Sequence, residues 1–288
     1  MSAVPRRQGA RRRRPPSLAR TLTYVVLTLT LIASAFPIYW TFVVASSTND
    51  VIADLPPPLV PGSHLMENVR AVFDNDAANF TKALVNSAIV AGTVSVAVLV
   101  FSSLAGFAFA KMRFRGSNVL LLIVVASMSI PVQLGVIPLY ILMGKLGWNG
   151  DLKAVIVPFL VSAFGVFFMR QAIMESVPDE LLEAGRIDGC GLLRLWAKVV
   201  VPAVRPAAAV LGLFTFMMTW NDFLWPLVTL TPDDPTVQVS LSTLASGYYQ
   251  DYSLVLAGTA IATVPLLVLF FVAGRQLIAG IMEGAVKG

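Results

Sequence analysis

Asp222 is the one carboxylate inside a long apolar run of this 288-residue chain. An ionisable group at membrane depth is by default a candidate for handling a proton or a solute. Asn221 precedes it, and Trp220 and Trp225 flank it as interfacial aromatics would. Metal and redox chemistry have little to work with. His64 is the sole histidine and Cys190 the sole cysteine, so an imidazole pair, an internal disulfide and a thiolate cage are all ruled out. No paired carboxylates, and no nucleophile with a base, share one depth of the apolar runs, which leaves acid–base and covalent catalysis without a starting point. A Gly-x-x-x-x-Gly-Lys-Ser/Thr loop for nucleotide phosphates is absent as well; Gly144-Lys145 lacks both the upstream glycine and the hydroxyl.

The other chemically distinctive stretch is polar and runs from Ser176 to Gly191. Ser176 stands three residues before Asp179, with Pro178 between them, which predicts a helix start whose acids suit the positive end of the helix dipole. Gly189 and Gly191 end that helix, because glycine tolerates the positive φ of a C-terminal cap. A second helical stretch, Leu192 to Val200, runs into Pro202. The expected product is two short amphipathic helices joined by a tight turn.

The elements that must carry these groups follow from composition. The chain is 57% apolar and 13% charged, against about 45–50% and about 25% in soluble domains. That excludes a water-soluble globule. About 20 apolar residues span a bilayer as a helix, since each backbone polar group must be satisfied within the segment. Six stretches are assigned as spans: Leu22 to Ala45, Leu84 to Ala110, Val119 to Met143, Ala154 to Met169, Ala203 to Val228 and Leu254 to Gly274. The expected fold is therefore all-α and polytopic, with a basic tail over residues 1–21 and a membrane domain over 22–288. Ala33-Ser34-Ala35 imitates a signal cleavage site, but apolar residues continue to Ala45, so the first run reads as an uncleaved anchor.

Basic residues set the orientation, because Lys and Arg stay on the cytoplasmic side. With the N-terminus inside, seventeen of the twenty-one basic residues fall in cytoplasmic segments and only Arg70, Lys82, Lys145 and Lys153 outside. Both termini are then cytoplasmic. The basic start faces anionic lipid rather than nucleic acid. Within the spans, Pro37, Pro131, Pro138, Pro158, Pro226 and Pro265 are expected to kink helices. Ser102, Ala105, Gly106 and Ala110 offer a small face for close helix packing. The loop with Pro56-Pro57-Pro58, Pro61-Gly62 and His64 reads as extended, with at most a short helix.

Glu183, Ala184, Gly185, Gly189, Val199, Val201 and Pro202 resemble the "EAA" loop of permease subunits in ATP-binding-cassette importers, with Gly185 where a second Ala is usual. The likeness continues through Asn86-Ser87, Phe107 to Lys111 with Arg113-Phe114-Arg115-Gly116, Ile130-Pro131-Val132-Gln133 and Ile137-Pro138-Leu139-Tyr140. It extends to Lys145-Leu146-Gly147, Trp220-Asn221-Asp222-Phe223-Leu224-Trp225-Pro226-Leu227 and Gly284-Ala285-Val286-Lys287-Gly288. In this order they resemble the maltose-type carbohydrate-uptake branch, and the subunit that lacks a large external loop.

The resemblance implies a type I ABC importer permease fold in the bacterial inner membrane. Residues 175–202 would form a coupling element, with Glu183 making the charged contact to an ATPase subunit and Asp188 and Gly189 holding the turn. Its implied partners are a second permease subunit, two cytoplasmic ATP-binding subunits that carry ATP and Mg, and an external solute-binding protein. The chain itself would be non-catalytic, with no cofactor or metal of its own. Cys190 stands where the family has a small residue and reads as packing. Sixteen residues from Pro206 advance about 24 Å along a helix, which puts Asn221 and Asp222 toward the outer end, where Asp222 would serve the pore, hydrogen-bond with Asn221 and a neighbouring helix, or make a packing contact. The rival reading is a proton-coupled secondary carrier built on Asp222.

Overall fold

The computed structural model describes residues 18–246 and 250–285, and is helical with no strand among them. Most of the basic tail over 1–21, and the end of the Gly284 to Gly288 motif with Lys287, lie outside the described residues. In chain order the helices are α1 (Leu18–Ala45), α2 (Asn49–Ala53), α3 (Leu65–Phe73), α4 (Phe80–Lys111) and α5 (Ser117–Ser127). They continue with α6 (Val136–Leu146), α7 (Leu152–Ile156), α8 (Ala163–Ser176), α9 (Asp179–Ile187) and α10 (Leu192–Leu195). The chain ends with α11 (Val201–Ala203), α12 (Arg205–Trp220), α13 (Leu224–Thr229), α14 (Val237–Ala245) and α15 (Tyr252–Ala285).

Four stretches are long and apolar enough to cross a bilayer: Arg20–Ala45, Phe80–Lys111, Leu152–Ser176 and Tyr252–Gly274, the third built from α7, a 3-10 turn holding Pro158, and α8. Two bent helix pairs bring the number to six if each is counted as one span. The predicted run Val119 to Met143 arrives as Ser117–Ser127 and Val132–Leu146, meeting at 91°. Pro131 sits at that corner in an extended conformation, and a proline disfavours helix in the residue before it. The predicted run Ala203 to Val228 is helical as α12, breaks at Asn221 to Phe223, and resumes as α13. Of the six prolines expected to kink spans, Pro37 and Pro265 lie inside long helices. Pro138 and Pro226 instead occupy the first turns of α6 and α13, where the missing N–H has no partner to lose.

α4 is the central post. Ala83, Ser87, Val90, Val94, Val98, Ser102 and Gly106 are buried along it at helical spacing, a stripe that takes α8 and α12. Gly106 lets α8 come close: a Cβ there would lie 2.8 Å from the Arg170 backbone N. On α8, a Cβ at Gly165 would lie 2.4 Å from Ser102 Oγ. The small face expected on α4 is thus the contact face for α8. α1 leans on α15 and leaves apolar side chains such as Leu22, Leu31 and Ile32 exposed, as suits lipid or a partner subunit.

Polar contacts sort to the two ends of α4, about 44 Å apart between Lys82 and Lys111. At one end Lys82 pairs with Asp234 at 2.6 Å, and Asn79 donates to the Asp233 carbonyl. Gly62 N–H there donates to Ser46 Oγ, which ties the Pro-rich loop to the end of α1. The Pro-rich stretch is without helix over 54–64, as expected, and α2 and α3 flank it. At the other end Lys111 pairs with Asp179 at 2.6 Å, on α9.

Candidate functional site

α9, α10 and α11 form a hairpin on the Lys111 end of the bundle. Ser176, expected to start the first helix, is the last residue of α8; Pro178 is the N-cap of α9 and no side chain caps it. The chain leaves α8 through extended Val177 and Pro178, because proline fixes an extended cap and its missing N–H costs nothing at a helix start. The far end closes as a Schellman motif. Gly189, at φ +75, donates to the Arg186 carbonyl, and Cys190 N–H reaches the Gly185 carbonyl at 2.9 Å. Asp188 is the C-cap that leads into it.

Leu182 and Leu195 are buried between the two arms and merge with Phe107, Ile173, Val177 and Val200 into the core cluster shared by α4 and α8. Cys190 packs against this cluster. Gly185 is what lets the arms close, since a Cβ there would lie 2.4 Å from Leu195 Cδ2. Two polar braces reach α4: Trp196 Nε1 donates to Ser103 Oγ at 3.2 Å, and Lys111 Nζ donates to Asp179 Oδ1. The Lys111 hydrogen bond holds the Asp179 carboxyl below its ordinary range.

Beyond α10 a π turn, Trp196–Val200, precedes Pro202. The Val201 N–H bonds back to the Trp196 carbonyl, a wider turn that makes room for a proline ring with no N–H of its own. The helix therefore passes through Pro202 instead of ending there. It then turns by 83° at Val204 into α12.

The outward side of the hairpin has no side-chain hydrogen-bond or ion-pair partner among the described residues. Glu183, Ala184, Arg186 and Asp188 are exposed on it, Ile187 is 87% exposed and Leu193 71%. Branched apolar side chains are thus left open among charges on this side.

Asn221 and Asp222 lie at the other end of α12, about 24 Å away. Asp222 is half-buried in the break before α13 and lines a cavity of about 900 Å³ between α4, α6, α8 and α12. The walls are mainly apolar, among them Val90, Val94, Phe159 and Trp225, with Ser87, Gln133, Thr215, Thr219 and Thr236 as polar points. Asn221 turns to other partners: it donates to the Met217 carbonyl and accepts from Gln238 Nε2.

Sequence reasoning did not single out Thr236, Gln133 or Lys111 as functional positions. Thr236 enters the cavity because Asn86 Nδ2 donates to the Pro235 carbonyl and Val237 N–H donates to Ser87 Oγ, stitching the start of α14 to α4. Asn86-Ser87 was the available signal, but its partner lies 149 residues away.

Residues 98–277 match the family described as binding-protein-dependent transport system inner membrane component. An arabinooligosaccharides transport system permease protein, AraQ of Halalkalibacterium halodurans, is 35% identical over 243 residues, covering 79% of this chain and 87% of that one. The lactose transport system permease protein LacG of Rhizobium radiobacter is 33% identical over 279 residues, 96% and 98% of the two chains. The sn-glycerol-3-phosphate transport system permease protein UgpE of Escherichia coli O157:H7 is 29% identical over 268 residues, 91% and 95%. Among solved structures, a chain of a bacterial ABC transporter involved in import of the acidic polysaccharide alginate shares the fold. Its TM-score is 0.76 at 23% identity, over 89% of this chain and 95% of that one. The chain belongs to the family of binding-protein-dependent transport system inner-membrane components, and is a multi-pass membrane protein of all-helical permease fold.

Proposed function

We propose that this chain is one half of the translocation path of an ATP-driven importer for a sugar or related hydroxylated solute, and that the α9–α11 hairpin is the grip for a cytoplasmic ATPase subunit. The observation that carries the reading is the hairpin itself. Its inner side is locked to α4 and α8 by Leu182, Leu195 and the Lys111–Asp179 pair, while Glu183, Arg186, Ile187 and Leu193 stay open on the outer side. A rigid two-helix unit can pass subunit closure into the bundle, whereas a flexible loop would absorb it. Pro202 and the π turn carry the far arm into α12, which ends at the cavity.

The hairpin end would face the cytoplasm with both termini, matching the excess of Lys and Arg in those segments. Glu183 would make the charged contact with Ala184 beside it on the open side, Gly185 would let the two arms close, and Asp188 and Gly189 would hold the turn. ATP and Mg would be bound by two partner subunits, a second permease would supply the other half of the path, and a binding protein would deliver the solute outside. The relatives' names, transport systems for arabinooligosaccharides and lactose, support the sugar class.

The test is reconstitution in vesicles with all partners. Glu183→Lys is expected to abolish ATP-driven uptake while the complex still assembles. Uptake that follows a proton gradient and ignores ATP would overturn this reading in favour of a proton-coupled carrier using Asp222.

A further inference from the structure

Asp222 is the sole charged residue among the described residues lining the cavity; no Lys, Arg or His joins it. Thr236 stands on the same lining, 4% exposed, and its Oγ1 is buried with no hydrogen-bond partner among the described residues. A buried hydroxyl without a partner is rare, and this one belongs to a residue of the cavity wall, where a solute hydroxyl could satisfy it. Neighbouring groups do not consume it: Ser87 Oγ is taken by the Val237 N–H, and Thr236 itself caps α14 by backbone alone. The remaining wall is apolar and includes Phe159 and Trp225, surfaces that suit the carbon faces of a ring.

We infer that Asp222 and Thr236 form a solute-contact subsite in this subunit that takes neutral hydroxyl-bearing solutes and disfavours anionic ones. The inference rests on the importer reading above and narrows its substrate class. Solute hydroxyls donate to the Asp222 carboxyl and exchange hydrogen bonds with Thr236 Oγ1. A phosphate or uronate meets an acid and no counter-charge, so burying it in the cavity goes uncompensated. The subsite therefore sides with the arabinooligosaccharide and lactose systems among the relatives, and against glycerol phosphate and alginate as cargo.

The experiment uses the complete complex at rest, in a Cys190→Ser background, with Thr236→Cys and, as a more open second position, Thr219→Cys. Each is modified by a cationic trimethylammonium-ethyl and an anionic sulfonatoethyl methanethiosulfonate. The cationic reagent is expected to be faster by about tenfold beyond the ratio for a free thiol, and Asp222→Asn to remove that excess. Lactose or arabinotriose is expected to slow modification, and glycerol 3-phosphate or alginate pentasaccharide to leave it unchanged. A free-thiol ratio with Asp222 in place, or protection by the anions equal to that by neutral sugars, overturns the subsite. Failure of ATP-driven uptake for every probe instead removes the importer reading, which the charge ratio at rest does not depend on.

Discussion

Gly185 and Leu195 are fitted to each other: a Cβ on residue 185 would come 2.4 Å from Leu195 Cδ2, and Leu195 is fully buried. The glycine departs from the Glu-Ala-Ala pattern at the point where the opposite arm presents a large side chain.

Gly185→Ala forces Leu195 off its position, an overpacking cost of about 1–3 kcal/mol. Better helix propensity offsets about 1 kcal/mol of it. Leu195→Ala alone leaves a cavity and costs about 2–4 kcal/mol. The double variant is expected to be less destabilised than the two single effects added, by thermal unfolding of the purified complex. Strict additivity would show that the arms do not meet here.

Gly106 and Gly92 lie on the same helix in opposite situations. A Cβ at 106 meets backbone atoms of Met169 and Arg170 at 3.0 and 2.8 Å, whereas one at 92 meets nothing within 4 Å. Gly106→Ala is expected to cost about 1–3 kcal/mol because α8 must shift as a unit. Gly92→Ala is expected to be neutral or to gain up to about 1 kcal/mol. Detergent stability of the two variants, measured side by side, checks the ranking.

The Lys111–Asp179 pair makes a pH prediction with a definite sign. The hydrogen bond from Lys111, and then its charge, lowers the Asp179 carboxyl below 3.8. A depressed folded value means that the pair contributes fully above the unfolded value and is lost only as pH falls through the folded one. The Asp179 carboxyl carbon resonance is expected to titrate below pH 3.8, and to return toward that value in Lys111→Met. A wild-type midpoint at or above it would break the link between α4 and α9.

Ile187 and Leu193 are too open to support the fold, so Ile187→Ser and Leu193→Ser are expected to change its stability by no more than about 0.5 kcal/mol. Under the proposed function they weaken capture of the ATPase subunits at least tenfold in pull-down titrations. A normal yield of complex from the double variant would move the grip elsewhere.

The apolar runs disclosed the membrane class, and Gly189 disclosed the turn, because each depends on local chemistry alone. Ser176 misled, since a cap-like residue can equally end the preceding helix. The 91° corner at Pro131 and the 83° turn at Val204 follow from how proline neighbours pack, and six prolines in a row of spans do not say which will sit in a first turn. Thr236 was illegible because Asn86 and Ser87 place it across a gap of about 150 residues.

The post α4 carries an ion pair near each tip, one to Asp234 and the other to Asp179. With 32 residues it is about 48 Å long and has no proline to fold at. A swing of about ten degrees at the hairpin tip would sweep the opposite tip through about 8 Å, roughly the width of a sugar ring with its hydroxyls. Motion of one tip would then reach the other with no relay of side-chain rearrangements, only a stiff rod with a load at each end.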